Sequence, residues 1–175
     1  MKQALSVASE CAPLVKTGGL ADVAGALPGA MAGQGWHLRT LLPGYPAVRD
    51  ALSKPRTALK DSDFFGGPVR VLAGEAAGLD LLVLDAPHLF DRGGSPYLDT
   101  SGVDWPDNPQ RFAALSAMAA RLAIVGDKTW RPDVVHGHDW QAGLTPVYLR
   151  GVATAPVLCS PSTTSPFTAW HLPTC

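Results

Sequence analysis

Apolar positions along this chain alternate between short continuous runs and stretches where they recur every three or four residues. Ala4 to Ala8 is a compact run of the kind a buried parallel strand carries. Lys16-Thr17-Gly18-Gly19 then breaks the pattern. Beyond it Leu20, Val23, Ala24 and Leu27 share one helical face, and Pro28 is expected to kink or end that helix. Leu38 to Leu42 predicts a second strand, closed by the turn residues Pro43-Gly44. Val69 to Leu72 and Leu79 to Leu84 are further strands, the first preceded by a turn at Gly66-Gly67-Pro68.

From His88 to Pro109 the pattern gives way to Asp, Gly, Pro and aromatic residues, and a loop that long in a compact domain is usually functional. An alanine-rich helix follows, with Asp107 or Asn108 as N-cap, Pro109 at the first helical position and then Phe112 to Val125. Asp133 to His136 is a strand, and Asp139-Trp140 opens a helix to about Arg150. Strand, crossover and strand repeated in this way predict an α/β fold: a Rossmann-like parallel sheet with helices on both faces.

The 175-residue length suits one domain, and 46% apolar against 17% charged residues allows a real core. A net charge of −1 argues against a nucleic-acid footprint or a polybasic membrane patch. No run approaches the roughly 20 apolar residues that span a bilayer. Met1 to Val7 is too soon followed by Glu10 to be a signal peptide, so a cytoplasmic setting is expected. The three cysteines, Cys11, Cys159 and Cys175, fit no zinc spacing and no complete disulfide framework, and are expected as free thiols.

Three segments carry candidate chemistry. In Lys16-Thr17-Gly18-Gly19-Leu20-Ala21-Asp22, two glycines directly before a helix let a ligand approach the backbone, free N–H groups attract anions, and Lys16 adds a cation suited to phosphate. An ordinary strand-to-helix turn explains the same residues, and spacing alone favours it. The segment is not GxGxxG, which weakens a dinucleotide reading and with it an oxidoreductase. His136-Gly137-His138-Asp139-Trp140 follows a strand, where open α/β sheets bind ligands. Asp139 as a plain N-cap and Trp140 as core packing are the alternatives. Three potential ligands within four residues seldom converge on one metal, so no metal is expected. Tyr97-Leu98-Asp99 and Asp104-Trp105-Pro106-Asp107-Asn108 set aromatic faces beside carboxylates and amides, a combination that suits a sugar or a structured surface loop.

These segments, in this order, resemble the bacterial glycogen synthases and plant starch synthases. Ser9-Glu10-Cys11-Ala12-Pro13-Leu14-Val15-Lys16-Thr17-Gly18-Gly19-Leu20-Ala21-Asp22-Val23, continued through Leu27-Pro28, is similar to the opening of that family. So are Leu41 to Pro46, His88 to Asp99, Asp104 to Ala117 and Pro132 to Leu149, and the likeness runs over about residues 2–158. The resemblance implies the incomplete N-terminal half of a GT-B fold, in which two Rossmann-like domains face each other across a cleft. It implies a retaining transfer of glucose from ADP-glucose to the non-reducing end of an α-1,4-glucan, with no metal or other cofactor. By similarity Lys16, Thr17, Gly18, Gly19, Tyr97, His138 and Trp140 would bind substrate, and Asp22 and Asp139 would line the catalytic cleft.

Residues 159–175 depart from that pattern: Ser, Thr and Pro fill ten of these seventeen positions. Taken alone this is a polar, disordered tail. With each codon started one base earlier, however, Cys159 to Leu172 can encode Leu-Leu-Thr-Val-His-Asn-Ile-Ala-Phe-His-Gly-Leu-Ala-Pro, a family segment whose His and Asn fall at Thr163 and Thr164. The expectation is a family-derived domain over residues 1–158, a frame-shifted tail, and a truncated chain that is inactive alone. A glucan-binding module without catalysis is the second reading.

Overall fold

The computed structural model describes residues 1–128, 130–150 and 156–159. β1 (Lys2–Val7) is an interior strand of the sheet. It pairs in parallel with β2 (Trp36–Pro43) on one side, with Leu5 opposite Arg39. The helix joining these two strands is α1 (Gly19–Ala32). After β2 come a short α2 (Pro46–Ala51), β3 (Ser53–Asp61), β4 (Val69–Ala76) and β5 (Leu79–Asp85). The short helix α3 (Pro87–Phe90) and the long α4 (Asn108–Val125) lead to β6 (Val134–Gly137). A 3-10 turn at Trp140–Ala142, α5 (Thr145–Leu149) and β7 (Val157–Cys159) complete the described residues. β6 pairs in parallel with β1, Val135 opposite Leu5, and with β7.

Among the described residues the strand order is β3-β4-β5-β2-β1-β6-β7. The expected parallel sheet holds from β5 to β7 and fails at one end, where β4 runs antiparallel to both β5 and β3. Chain length explains the reversal. Only Ala77 and Gly78 separate β4 from β5, both at positive φ (52° and 78°), the geometry of a tight hairpin turn. A parallel crossover needs a dozen residues or more. β3, which the apolar pattern did not predict, is an edge strand with mostly exposed side chains, and Lys54 and Pro55 interrupt its register.

α1 passes through Pro28 instead of ending there. Proline deletes one backbone bond, a cost of about 3 kcal/mol that packing of the flanking helix must offset. Ala21 and Ala24 form its buried face, whereas Val23 is 55% exposed, so the expected apolar face is rotated toward the alanines. α4 buries Phe112, Leu115, Met118 and Leu122 at three- and four-residue spacing, each worth roughly 1.5–3 kcal/mol of burial. The helix expected from Asp139 to Arg150 is two pieces, the 3-10 turn and α5, with Gly143 and Leu144 between them. The tail beyond Cys159 lies outside the described residues.

Connection handedness sets the position of the site. The chain steps from β1 through α1 to β2 in one direction, and from β5 through α4 to β6 in the other. Right-handed crossovers therefore place α1 and α4 on opposite faces. The loops leaving β1 and β6 diverge at their carboxyl ends, and a crevice opens between them.

Candidate functional site

The loop after β1, residues 8–18, is held tightly. Leu14 and Val15 N–H donate to the Cys11 carbonyl, and Ala12 N–H donates to the Ala21 carbonyl of α1, at 2.9–3.0 Å. That last contact requires Gly25, because a Cβ there would stand 2.5 Å from the Ala12 oxygen. The Cys11 thiol is buried, which pushes its pKa up to about 11 and leaves it inert as a nucleophile.

Glu10 follows in the same loop, only 3% exposed. Its Oε2 accepts the N–H groups of Thr17 and Gly18 (the latter at 3.2 Å), and its Oε1 accepts the Tyr97 hydroxyl at 2.6 Å. Ser9 Oγ lies 2.8 Å from the same Tyr97 oxygen. Burial pushes the Glu10 carboxyl upward, but these donors outweigh it and hold it below the usual carboxylate range. Burial and the neighbouring carboxylate push the Tyr97 hydroxyl up.

Gly18 is the N-cap of α1 and no side chain caps this helix. Gly18 has an extended backbone that any residue can adopt (φ −150°, ψ −162°), and a Cβ at Gly18 or Gly19 would meet nothing within 4 Å. Neither glycine is required by the fold. Lys16 Nζ, in front of this helix end, is 2.7 Å from both carboxylate oxygens of Asp22 in the first turn.

An open cleft of about 720 Å³ occupies the crevice. Thr17 forms one wall, Ser95, Tyr97, Leu98, Asp104, Trp105, Asn108 and Pro109 the second, and Trp140 and Gln141 the third. The rings of Tyr97, Phe112 and Trp140 stand in series, with centroids 5.8 and 5.1 Å apart. Arg111 organises the long second wall. Fully buried, it donates to the carbonyls of Leu89 (2.8 Å) and Pro96 (3.0 Å) and to Asn108 Oδ1 (2.6 Å).

Asp139, two residues beyond β6, has φ 58° and ψ −172°, a region essentially reserved for glycine, while its carboxylate accepts the Trp140 N–H at 2.7 Å. It is exposed beside Trp140, itself 56% exposed. His138 is placed differently: 1% exposed, it lies below the cleft with Nε2 3.0 Å from Ser6 Oγ. Burial, with the His136 ring tilted against it at 4.3 Å, lowers its pKa to about 4 and keeps it neutral.

Of the residues expected from sequence, Thr17, Tyr97 and Trp140 line the cleft directly. Lys16, Gly18, Gly19 and Asp22 gather at the start of α1, and Asp139 stands at the end of β6. The chemical reading of the sequence passed over Glu10 and Arg111. The signal for Glu10 was present, a lone carboxylate just after an apolar strand. Among the described residues no group of three or more His, Cys, Asp and Glu is arranged to hold a metal ion, and no helix is long and apolar enough to cross a membrane.

A mostly parallel sheet with a cleft at its switch point defines the chain as a Rossmann-like α/β domain. The chain belongs to the starch synthase catalytic domain family, whose model matches residues 3–165. It is 63% identical over 150 residues to the glycogen synthase of Paracoccus denitrificans (strain Pd 1222), covering 86% of this chain and 32% of that protein. It is also 63% identical over 152 residues to the glycogen synthase of Jannaschia sp. (strain CCS1), covering 87% of this chain and 32% of that one. Among solved structures it is similar to the catalytic domain of starch synthase IV from Arabidopsis thaliana bound to ADP and acarbose. The TM-score there is 0.72 at 27% identity, over 91% of this chain and 33% of the other. The chain spans about a third of the length of the curated relatives it matches.

Proposed function

We propose that these residues form the N-terminal half of the cleft of a retaining glucosyltransferase that moves glucose from ADP-glucose to the non-reducing end of an α-1,4-glucan. The observation that carries this reading is the start of α1: an uncapped helix end fronted by Lys16, with two glycines that neither backbone geometry nor neighbouring atoms demand. A ligand that must approach the backbone closely accounts for them, and a diphosphate suits the positive end of a helix. The solved relative bound to ADP and acarbose supports the same pairing of nucleotide and sugar.

The chemistry follows from charge. As the bond between the glucose anomeric carbon and the diphosphate oxygen breaks, negative charge grows on the leaving ADP. Lys16 and the amides at the start of α1 stabilise it, and the acceptor hydroxyl oxygen bonds to the anomeric carbon as its proton passes to the departing diphosphate oxygen. Tyr97, Trp105 and Trp140 offer flat apolar faces to sugar rings, with Asp104 and Asn108 as hydrogen-bonding partners at the same wall. Asp139 stands just beyond the carboxyl end of β6, where the reacting sugar would lie. No step here needs a metal, and a cytoplasmic setting suits a nucleotide-sugar donor.

A chimera tests the reading: residues 1–158 replace the matching stretch of the Paracoccus denitrificans synthase, and transfer of radiolabelled glucose to glycogen is measured. Transfer within tenfold of the parent synthase is expected, and none above background would refute the assignment. The 175-residue polypeptide by itself is expected to transfer no glucose, because a cleft between two domains needs both walls. Retention on immobilised glycogen without transfer in the chimera would favour the binding-module reading. Residues 159–175 we assign to a shifted reading frame, which resequencing the gene across codons 150–180 checks directly.

A further inference from the structure

We infer that Glu10 is a positioning residue that fixes both the donor side and the sugar side of the cleft through one carboxylate. The inference rests on the glucosyltransferase reading above. Thr17 and Tyr97 lie on opposing walls, separated by eighty positions in the chain, yet both bond to Glu10. One oxygen holds the backbone before α1 and the other holds the Tyr97 hydroxyl. The Thr17 hydroxyl bonds to the same carboxylate as well.

The bonding pattern also decides which amides meet the donor. Glu10 takes the N–H groups of Thr17 and Gly18, so these two are turned inward and already satisfied. The amides of Gly19, Leu20 and Ala21, the first residues of α1, have no intrahelical acceptor and face the helix end. Glu10 thus acts as an internal anion that orders the glycine pair and directs a diphosphate one residue further along, onto the helix proper. Removing the charge frees the Thr17 and Gly18 amides to compete for the donor in a poorer geometry, and it releases Tyr97 from its wall at the same time. Misplacement of about 1 Å in such a site is enough to cost up to roughly a hundredfold.

Glu10→Gln and Tyr97→Phe test the role in two settings. In the 175-residue polypeptide, amide exchange at Thr17 and Gly18 should quicken by about tenfold or more in Glu10→Gln, and the Tyr97 phenol should titrate at lower pH. In the active chimera, Glu10→Gln should raise the KM for ADP-glucose by about tenfold with a smaller change in kcat. Tyr97→Phe should raise it less, since the loop keeps its carboxylate. A merely structural role lowers the active fraction and leaves KM alone. An active parent chimera whose Glu10→Gln variant keeps both KM and amide exchange overturns this inference and spares the function. A parent chimera without transfer overturns both.

Discussion

Lys16 Nζ bridges the two carboxylate oxygens of Asp22, joining the loop before α1 to the first turn of that helix. Both side chains are more than half exposed, 53% and 57%, so the pair contributes between zero and about 1 kcal/mol. An attachment this weak can be exchanged for a diphosphate. Lys16→Ala should therefore unfold in urea within about 1 kcal/mol of the parent, while its transfer in the chimera falls on the order of a hundredfold or more. A large loss of stability with transfer intact would make the pair structural.

The glycines separate by purpose. Gly18→Ala and Gly19→Ala place a methyl group in open space and should leave the melting temperature unchanged or slightly raised, yet weaken transfer by obstructing the donor. Gly25→Ala drives a Cβ to 2.5 Å from the Ala12 oxygen, and should destabilise the chain by about 1–3 kcal/mol. Thermal melts of the three variants, set beside their transfer rates, check the contrast.

Asp139 holds a glycine-only conformation at the end of β6. Asp139→Gly should be more stable than Asp139→Ala by about 1–2 kcal/mol, since alanine keeps the strain and loses the bond to the Trp140 amide. Both should abolish transfer if the carboxylate works in the cleft. Equal stability of the two variants, by urea unfolding, would remove the strain argument.

Asp127 lies between Arg56 and Arg39, bonded to each at 2.9 and 3.2 Å. Its bonds to Arg56 first, then Arg39, outweigh burial and hold its pKa down to about 2, against an ordinary 3.8. A depressed folded-state pKa contributes stability that is present above pH 4 and lost as pH falls through 2. With allowance for the half-exposed Arg56, the contribution is about 1–2 kcal/mol at neutral pH. Urea titrations at several pH values should show Asp127→Asn less stable than the parent at pH 7, with the gap closing between pH 4 and 2.

The centre of the sheet was legible because its strands are short apolar runs and its crossovers have helical period. β1, β2, β6 and α4 fall where Ala4 to Ala8, Leu38 to Leu42, Asp133 to His136 and Phe112 to Val125 place them. The hairpin edge was not, for two reasons. β3 carries Lys54, Pro55, Arg56 and Lys60, an edge strand with no alternating signal, and the Ala77-Gly78 turn lacks the usual Asn or Asp. Pro28 does not end α1, since the packing of Ala21 and Ala24 offsets its local cost. At the site, Lys16 to Asp22 stood out by its glycines. His138 was legible as a residue near the cleft but not as a buried one, since its partner Ser6 is 132 positions away. Glu10 is tied to Tyr97, 87 positions away, and Arg111 to the carbonyls of Leu89 and Pro96, 22 and 15 positions back, so their roles show only once the chain is folded.

β1 meets β2 early and β6 only after about ninety further residues. The segment β3-β4-β5-β2-β1 can pair as soon as it is synthesised, whereas the cleft needs β6 and the Trp140 turn beside β1. At about 5–20 residues per second on the ribosome, several seconds or more pass between the appearance of the Lys16 loop and that of its third wall. During biosynthesis, then, the Lys16 loop emerges long before Tyr97 and Trp140 complete the pocket it serves, and β1 presents an unpaired edge for as long as β6 is unmade.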